Sequence, residues 1–120
     1  MSGYVLIADQ DRSIRLCILE TLQNIGLELK SAASGDECLK LSFSGDRPSL
    51  IILGWKMPVL SGLEILTLLK LNERSQAIPV IMVGGEKCDE EQAITAGAYA
   101  SLPIPLESEI LRHYALKALG

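Results

Sequence analysis

Five short segments typical of β-strands, separated by stretches with helical spacing of their apolar residues, constrain the fold most strongly. The segments are Tyr4–Ala8, Leu27–Ala32, Leu50–Leu53, Pro79–Val83 and Ala100–Leu102. Apolar strands that alternate with helices pair in parallel, because the helices then cover both faces of the sheet. Five strand–helix units are too few for a closed barrel, which needs eight. The pattern therefore predicts an open, doubly wound α/β sheet with its functional crevice at the carboxyl ends of the strands.

Capping residues and glycines predict the limits of the helices. Asp11 caps the first helix and Gly26 ends it. The apolar stripe of that helix is Ile14, Cys17, Ile18, Leu22 and Ile25. Capping boxes at Ser34–Glu37 and Ser61–Glu64 open the second and third helices. The third helix runs to about Asn72, and the last two are Asp89–Ala96 and Leu106–Leu119. No linker divides the chain, so we predict that residues 1–120 form a single domain.

The composition excludes several classes of function. The chain has 120 residues, of which 48% are apolar, and this proportion supports a hydrophobic core and excludes a disordered chain. The net charge is −4 and the basic residues are scattered, so we expect neither nucleic acid nor a membrane surface as a partner. No apolar run reaches the ~20 residues that span a bilayer, and the N-terminus has no signal-peptide pattern.

The cysteines and the histidine argue against disulfide and metal chemistry. Cys17, Cys38 and Cys88 are widely spaced, and His113 is the only histidine. Such an arrangement is typical of a reducing compartment, so we expect a cytoplasmic protein without a bound metal or cofactor. The helix positions of Cys17 and Cys38 assign them to the core. Cys88, near a helix start, is the candidate for redox chemistry.

The most specific stretch of the sequence follows the third predicted strand. It reads Trp55-Lys56-Met57-Pro58-Val59-Leu60-Ser61-Gly62-Leu63-Glu64. Its Met-Pro and Gly-Leu-Glu pattern resembles the receiver (CheY-like) domain of two-component response regulators. Similar matches to that family occur at Asp9-Gln10-Asp11, at Ala96-Gly97-Ala98 and at Ile104-Pro105, so the likeness covers the whole chain. The resemblance implies a flavodoxin-like (βα)5 sandwich with the strand order 2-1-3-4-5.

The resemblance also implies a site for phosphoryl transfer, from which this chain departs at most positions. In the family, an aspartate that ends the third strand takes the phosphoryl group, and acidic residues after the first strand hold magnesium beside it. A hydroxyl on the fourth strand and a lysine after the fifth bind the phosphoryl oxygens. An aromatic residue on the fifth strand changes position together with that hydroxyl when the domain is phosphorylated. The corresponding residues here are, in that order, Gly54, Asp9 with Gln10, Gly84, Ile104 and Ser101. Only Asp9 keeps its reactive type, so the resemblance implies a pseudo-receiver without a phosphoacceptor.

Two interpretations of Asp9 and Asp11 are open. Their carboxylates either bind a cation weakly, or they are solvated and cap the helix without binding a metal. Magnesium is usually held by one or two carboxylates together with substrate phosphate, and Gly54 supplies no carboxylate to complete such a set. We therefore expect no functional metal. Gly84-Gly85 lacks the surrounding pattern of a phosphate loop and predicts a flexible turn after the fourth strand.

Apolar residues outside the predicted core stripes indicate a protein partner or a homodimer. A contiguous apolar patch on a surface marks an interaction site, and Trp is enriched at binding hot spots. The candidate contacts are Trp55, Leu16, Leu19, Leu68, Leu71 and Tyr114. For Trp55 the alternative is packing over the emptied pocket.

The sequence thus predicts a non-enzymatic, non-phosphorylatable signalling domain of a bacterial two-component or phosphorelay response regulator, acting by protein–protein interaction. One alternative is a small cofactor-binding or enzymatic flavodoxin-like module, and another is a receiver with an atypical acceptor. The acidic loop at Asp9 and Asp11 would repel the phosphate of a flavin and disfavours the first alternative. The chain either stands alone or is one domain of a longer protein.

Overall fold

The computed structural model describes residues 3–86 and 89–120. Along these residues strands and helices alternate as β1 (Tyr4–Ala8), α1 (Arg12–Leu22), β2 (Glu28–Ala32), α2 (Gly35–Phe43), β3 (Leu50–Gly54), α3 (Gly62–Leu71), β4 (Val80–Gly85), α4 (Asp89–Thr95), β5 (Ala100–Pro103) and α5 (Ser108–Leu119). The strands form a parallel sheet of order β2-β1-β3-β4-β5. The predicted flavodoxin-like, doubly wound fold is therefore confirmed, together with its strand order.

Helices cover the sheet in two layers. α1 and α5 pack on one face through residues such as Ile18 and Leu111, and α2, α3 and α4 pack on the other through residues such as Leu66 and Ala93. Because both faces are covered, β1 and β3 are buried along their whole length. The chain passes from β1 to β2 on one side and returns to β3 on the other, so the strand order reverses between β1 and β3. That reversal places the expected crevice above these two strands.

The predicted boundaries agree with the structure to within a few residues, and two differences matter. α1 ends at Leu22 rather than at Ile25, and the backbone reaches a positive φ (+92°) only at Gly26. β4 continues to Gly85, so Gly84-Gly85 belongs to the strand and the prediction of a turn there is wrong.

The buried stripe of α1 also differs from the prediction. Cys17, expected in the core, is exposed, whereas Leu19, expected outside the stripe, is half-buried and packs against the core. α1 packs through Ile18 and Leu22, four positions apart, and this pair turns the flank that carries Leu19 toward the sheet. Cys38 is buried in α2 as expected.

Side-chain caps fix the starts of three helices as predicted. Asp11 Oδ1 accepts hydrogen bonds from N–H groups of the first turn of α1, at 2.8 and 3.4 Å. Ser61 and Glu64 complete a capping box on α3, with the two reciprocal bonds at 3.0 and 3.2 Å. Ser34 Oγ accepts from the N–H of Glu37 at 3.3 Å, which is half of the predicted box. Within the described parts of the chain, no helix combines the length and the hydrophobicity needed to cross a membrane.

Candidate functional site

A cleft of about 300 Å³ opens where β1, β3 and β4 reach their carboxyl ends. Its lining residues are Asp9, Gln10, Asp11, Ile14, Trp55, Lys56, Val83, Gly84 and Ile104. The cleft lies beside the reversal of strand order between β1 and β3, which is where ligands bind in open α/β sheets. Of the charged side chains in the described residues, only that of Asp9 is buried. The cleft thus surrounds the position that the sequence assigns to the receiver chemistry.

Asp9 lies over Gly54, the last residue of β3. Asp9 is 5% exposed. A Cβ added to Gly54 would lie 2.7 Å from Asp9 Cγ and 3.3 Å from Asp9 Cβ, closer than the ~3.5–4.0 Å that carbon atoms prefer. The Asp9 side chain therefore occupies the space that a side chain at position 54 would need.

The hydrogen bonds of Asp9 hold its carboxylate in this place. Its Oδ1 accepts the backbone N–H of Asp11 at 2.9 Å, whereas Arg15 donates to the backbone carbonyl of Asp9 at 2.5 Å. Burial raises the pKa of Asp9, although the N–H of Asp11 and the charge of Arg15 act to lower it. The one ion pair among the described residues joins Lys30 and Asp46. Within the described parts of the chain, no cation forms an ion pair with the buried carboxylate, and Arg15, which binds the backbone carbonyl, acts on it only through its charge.

A break in strand register shapes the opposite wall. The pairing of β4 with β5 shifts between Val83 and Gly85, and Gly84 has a φ of +98° there, which side-chain-bearing residues rarely adopt. Ile104, which is 47% exposed, lies beside Gly84. A Cβ on Gly84 would be 3.5 Å from Ile104 Cγ1. The position that the resemblance assigns to a hydroxyl thus has a backbone suited to glycine and an apolar neighbour.

Trp55 closes the cleft above β3. It is half-buried and packs against the core beneath α2, α3 and α4. A Cβ on Gly85 would lie 2.7 Å from Trp55 Cδ1 and Cε2, so glycine at position 85 makes room for the indole. The indole Nε1 is buried and has no hydrogen-bond acceptor among the described residues. Trp55 therefore packs over the pocket, and its role as a partner contact stays a prediction.

A family comparison agrees with this geometry. Residues 5–115 match the response regulator receiver domain family. The chain belongs to this family. The receiver is 30% identical over 118 residues to the response regulator MprA of Mycobacterium ulcerans, covering 97% of this chain and 50% of that protein. It is 30% identical over 117 residues to the transcriptional regulatory protein PrrA of Mycobacterium tuberculosis, covering 96% and 50%. The receiver thus spans about half the length of these relatives.

Solved receiver structures agree with the fold over nearly the whole chain. The chemotaxis response regulator CheY4 of Vibrio cholerae is 28% identical, with a TM-score of 0.87, over 99% of this chain and 100% of that one. The receiver domain of NtrX from Brucella abortus is 27% identical, with a TM-score of 0.86, over 96% and 97% of the two chains. The family and the fold are therefore both shown, while the chemistry of this particular receiver depends on its own residues.

The donor set of this receiver does not fit the magnesium ion that the family resemblance implies. Asp11 uses Oδ1 to cap α1, Asp9 uses Oδ1 to accept the N–H of Asp11, and Gly54 has no side-chain oxygen. No group of three His, Cys, Asp or Glu side chains in the described residues is placed to hold a metal ion. The weak cation site at Asp9 and Asp11 stays an untested hypothesis, against the expectation of no functional metal, and no chemical step is assigned to it.

The structure brings most of the predicted pocket residues together. Asp9, Gln10, Gly84 and Ile104 line the cleft, and Gly54 lies beneath Asp9. Ser101 is half-buried on β5, in register with Met82, and is not among the lining residues. The predicted redox residue Cys88 lies outside the described residues.

The predicted partner contacts do not form one patch. Leu16 is exposed on α1, whereas Leu68 and Leu71 are exposed on α3, in the opposite helix layer. Leu19 and Tyr114 are half-buried and pack against the core on the side of α1 and α5. α3 is therefore the helix on which two predicted contacts are both exposed.

Sequence reasoning missed three lining residues, Ile14, Lys56 and Val83. Ile14 belongs to the predicted apolar stripe of the first helix and Val83 ends the fourth predicted strand, and each stands at the end of its element that faces the crevice. The sequence did contain one signal for the contact between Trp55 and Gly85. Glycine in a strand often marks a place where another group approaches the backbone closely.

Proposed function

We propose that this receiver is a pseudo-receiver, a signalling domain of a two-component or phosphorelay response regulator that takes no phosphoryl group and acts by protein–protein interaction. The observation that carries the proposal is the buried Asp9 carboxylate in the space above Gly54. Because a Cβ at position 54 would overlap Asp9, a phosphoacceptor side chain there and Asp9 in its present place exclude each other.

The rest of the cleft supports the loss of phosphoryl chemistry. Gly54 offers no nucleophile, and Ile104 offers no positive charge to phosphoryl oxygens. Gly84 provides no hydroxyl, and its φ of +98° disfavours any residue that would. A phosphoryl group would also place negative charge beside the Asp9 carboxylate, and this repulsion is strong where water is excluded.

The proposal extends to the role of the domain in the cell. Residues 1–120 are taken as a single, non-enzymatic domain in the bacterial cytoplasm. The net charge of −4 supports a protein partner over nucleic acid or an anionic membrane. MprA is named a response regulator and PrrA a transcriptional regulatory protein, and by analogy we assign this receiver a regulatory role.

The partner surface in this proposal is the outer side of α3. Leu68 is 40% exposed and Leu71 is 76% exposed, and neighbouring apolar residues on one helix face are typical of a contact site. The contact is made by a protein partner or by a second copy of the chain. Since the cleft has no phosphorylation chemistry to gate it, association through α3 is expected to be constitutive.

Incubation with acetyl phosphate and magnesium, followed by intact-mass measurement, tests the proposal. A receiver with an aspartate at the end of its third strand, treated alongside, is the positive control. We expect the control to gain one phosphoryl mass and this receiver to gain none. An acid-labile phosphoryl adduct on this receiver would overturn the proposal, and fragmentation would then locate the atypical acceptor.

A further inference from the structure

Among the grooves formed by the described residues, the cleft above Asp9 differs from the others in its chemistry. Larger grooves lie between α1 and α5 and between α3 and α4, but the charged side chains that line them are not buried: Glu20, Glu109 and Arg112 in the first and Glu91 in the second. Only the cleft above Asp9 combines apolar walls with a buried charged group. It is therefore the groove that can select a ligand by both shape and charge.

The buried carboxylate defines one end of the ligand. Asp9 receives one backbone N–H bond, and no described cation pairs with it. A buried charge gains most from a partner that brings both opposite charge and hydrogen-bond donors. A primary ammonium group supplies a positive charge and three N–H donors, whereas an anion would be repelled by Asp9 and by Asp11 at the rim.

The walls define the other end of the ligand. Ile14, Trp55, Val83 and Ile104 place apolar surface around the cleft. The indole of Trp55 can also attract a cation that approaches its ring. A volume of about 300 Å³ is at the lower limit of ordinary ligand sites, which bury one small molecule. The cleft therefore fits a short apolar body joined to the ammonium group.

We propose that the cleft between Trp55 and Ile104 binds a small organic amine, with its ammonium group on the Asp9 carboxylate and its apolar body against the two side chains. This inference rests on the proposed loss of phosphoryl chemistry, because a phosphorylated receiver would use the same space. Lys56, exposed at the rim, opposes the ligand charge, so the substitution Lys56→Gln is expected to strengthen binding. The amine would act as the regulatory ligand of the domain in place of a phosphoryl group.

A pair of matched probes tests the charge requirement. The full chain is titrated with 2-phenylethylamine and with 2-phenylethanol, which differ only in the ammonium and hydroxyl groups. The chain has one tryptophan, Trp55, so its fluorescence reports on this cleft. We expect the amine to bind with a dissociation constant of about 1 mM or tighter, and at least about tenfold more tightly than the alcohol. Equal affinities, or no saturable binding of the amine below about 10 mM, would overturn the proposal.

Substitutions in the chain test whether the preference for the amine depends on the Asp9 carboxylate. Asp9→Asn keeps the shape and is expected to abolish the preference for the amine, whereas Glu109→Gln, which removes an exposed charge from the groove between α1 and α5, is expected to change amine affinity by less than about twofold. Ile104→Lys alters an exposed residue and brings a competing ammonium to the cleft, so it is also expected to abolish amine binding. A preference that survives both Asp9→Asn and Ile104→Lys would place the amine elsewhere and overturn the proposal.

The same samples separate this inference from the proposed function. If acetyl phosphate adds a phosphoryl group, the pseudo-receiver proposal fails whatever the probes do. If no phosphoryl group is added and the two probes bind alike, only the amine proposal fails.

Discussion

Adding a single methyl group at Gly54 tests whether Asp9 occupies the space of the missing acceptor. In Gly54→Ala, the new Cβ would lie 2.7 Å from Asp9 Cγ, so the carboxylate must move by roughly 1 Å to reach normal contact. That movement strains or breaks the 2.9 Å bond from the N–H of Asp11. Overpacking in a buried site costs about 1–3 kcal/mol. Because the displaced carboxylate regains water at the cleft, we expect about 1–2 kcal/mol of lost stability.

Gly54→Asp adds electrostatic repulsion to the same overlap. Two carboxylates about 4 Å apart repel each other by about 4 kcal/mol at an effective dielectric constant of 20. Part of this repulsion is relieved when Asp9 rotates toward solvent, so we expect a total destabilisation of about 3 kcal/mol in the absence of magnesium. The excess over Gly54→Ala should disappear in acid, where both carboxyl groups are protonated.

Urea denaturation of matched variants measures these changes. Gly45→Ala is the control, because a Cβ on Gly45 meets no atom within 4 Å and its φ is not positive. We expect that control to be neutral or slightly stabilising. In an Asp9→Ala background, Gly54→Ala should cost less than about 0.5 kcal/mol, which gives a coupling of about 1 kcal/mol between the two positions. Equal destabilisation by Gly54→Ala with and without Asp9 would refute the reasoning.

Three further changes have predicted outcomes. Burial raises the pKa of Asp9, so the carboxyl favours folding when protonated and this contribution is lost as the pH rises through its folded pKa. Asp9→Asn should therefore raise the free energy of unfolding by about 1 kcal/mol at neutral pH, and urea melts below the ordinary aspartate pKa of 3.8 should show no difference. Ser61→Ala breaks a complete capping box and should cost about 1 kcal/mol in the same assay, more than Ser34→Ala, whose box is half formed; an equal cost would contradict this. Leu71→Glu should weaken self-association or partner binding through α3 in light scattering, whereas Leu16→Glu, on the opposite layer, should not; a wild-type chain that is monomeric at every concentration and binds no protein would contradict the α3 surface.

The order of strands and helices could be predicted because it depends on local pattern. Periodicity located each element, and the caps at Asp11 and Ser61 used hydrogen bonds within one helical turn. The sequence predicts that α1 ends at Ile25, three residues beyond its observed end at Leu22. Ile25 continues the apolar spacing of the helix, but it packs against the core from the loop that follows α1. Such boundaries depend on tertiary packing, which periodicity does not record.

The composition of the cleft could be predicted only in part. The family resemblance supplied the positions of Asp9, Gly84 and Ile104, because these depend on alignment with a motif. The position of the Asp9 carboxylate over Gly54 and the register shift at Gly84 could not be predicted, since both arise from contacts between strands. The contact of Trp55 with Gly85 joins residues thirty positions apart in the chain and required the folded sheet.

The response to beryllofluoride, a stable mimic of a phosphoryl group, tests the central claim most directly. Backbone amide spectra of the full chain would be recorded with magnesium alone and with magnesium and beryllofluoride. The pseudo-receiver proposal predicts that the amides of Asp9, Gly54, Gly84 and Ile104 keep their chemical shifts in both conditions, since no carboxylate at position 54 can accept the mimic. Saturable shifts of these amides that require both magnesium and beryllofluoride would contradict the proposal and show that the cleft still recognises a phosphoryl group.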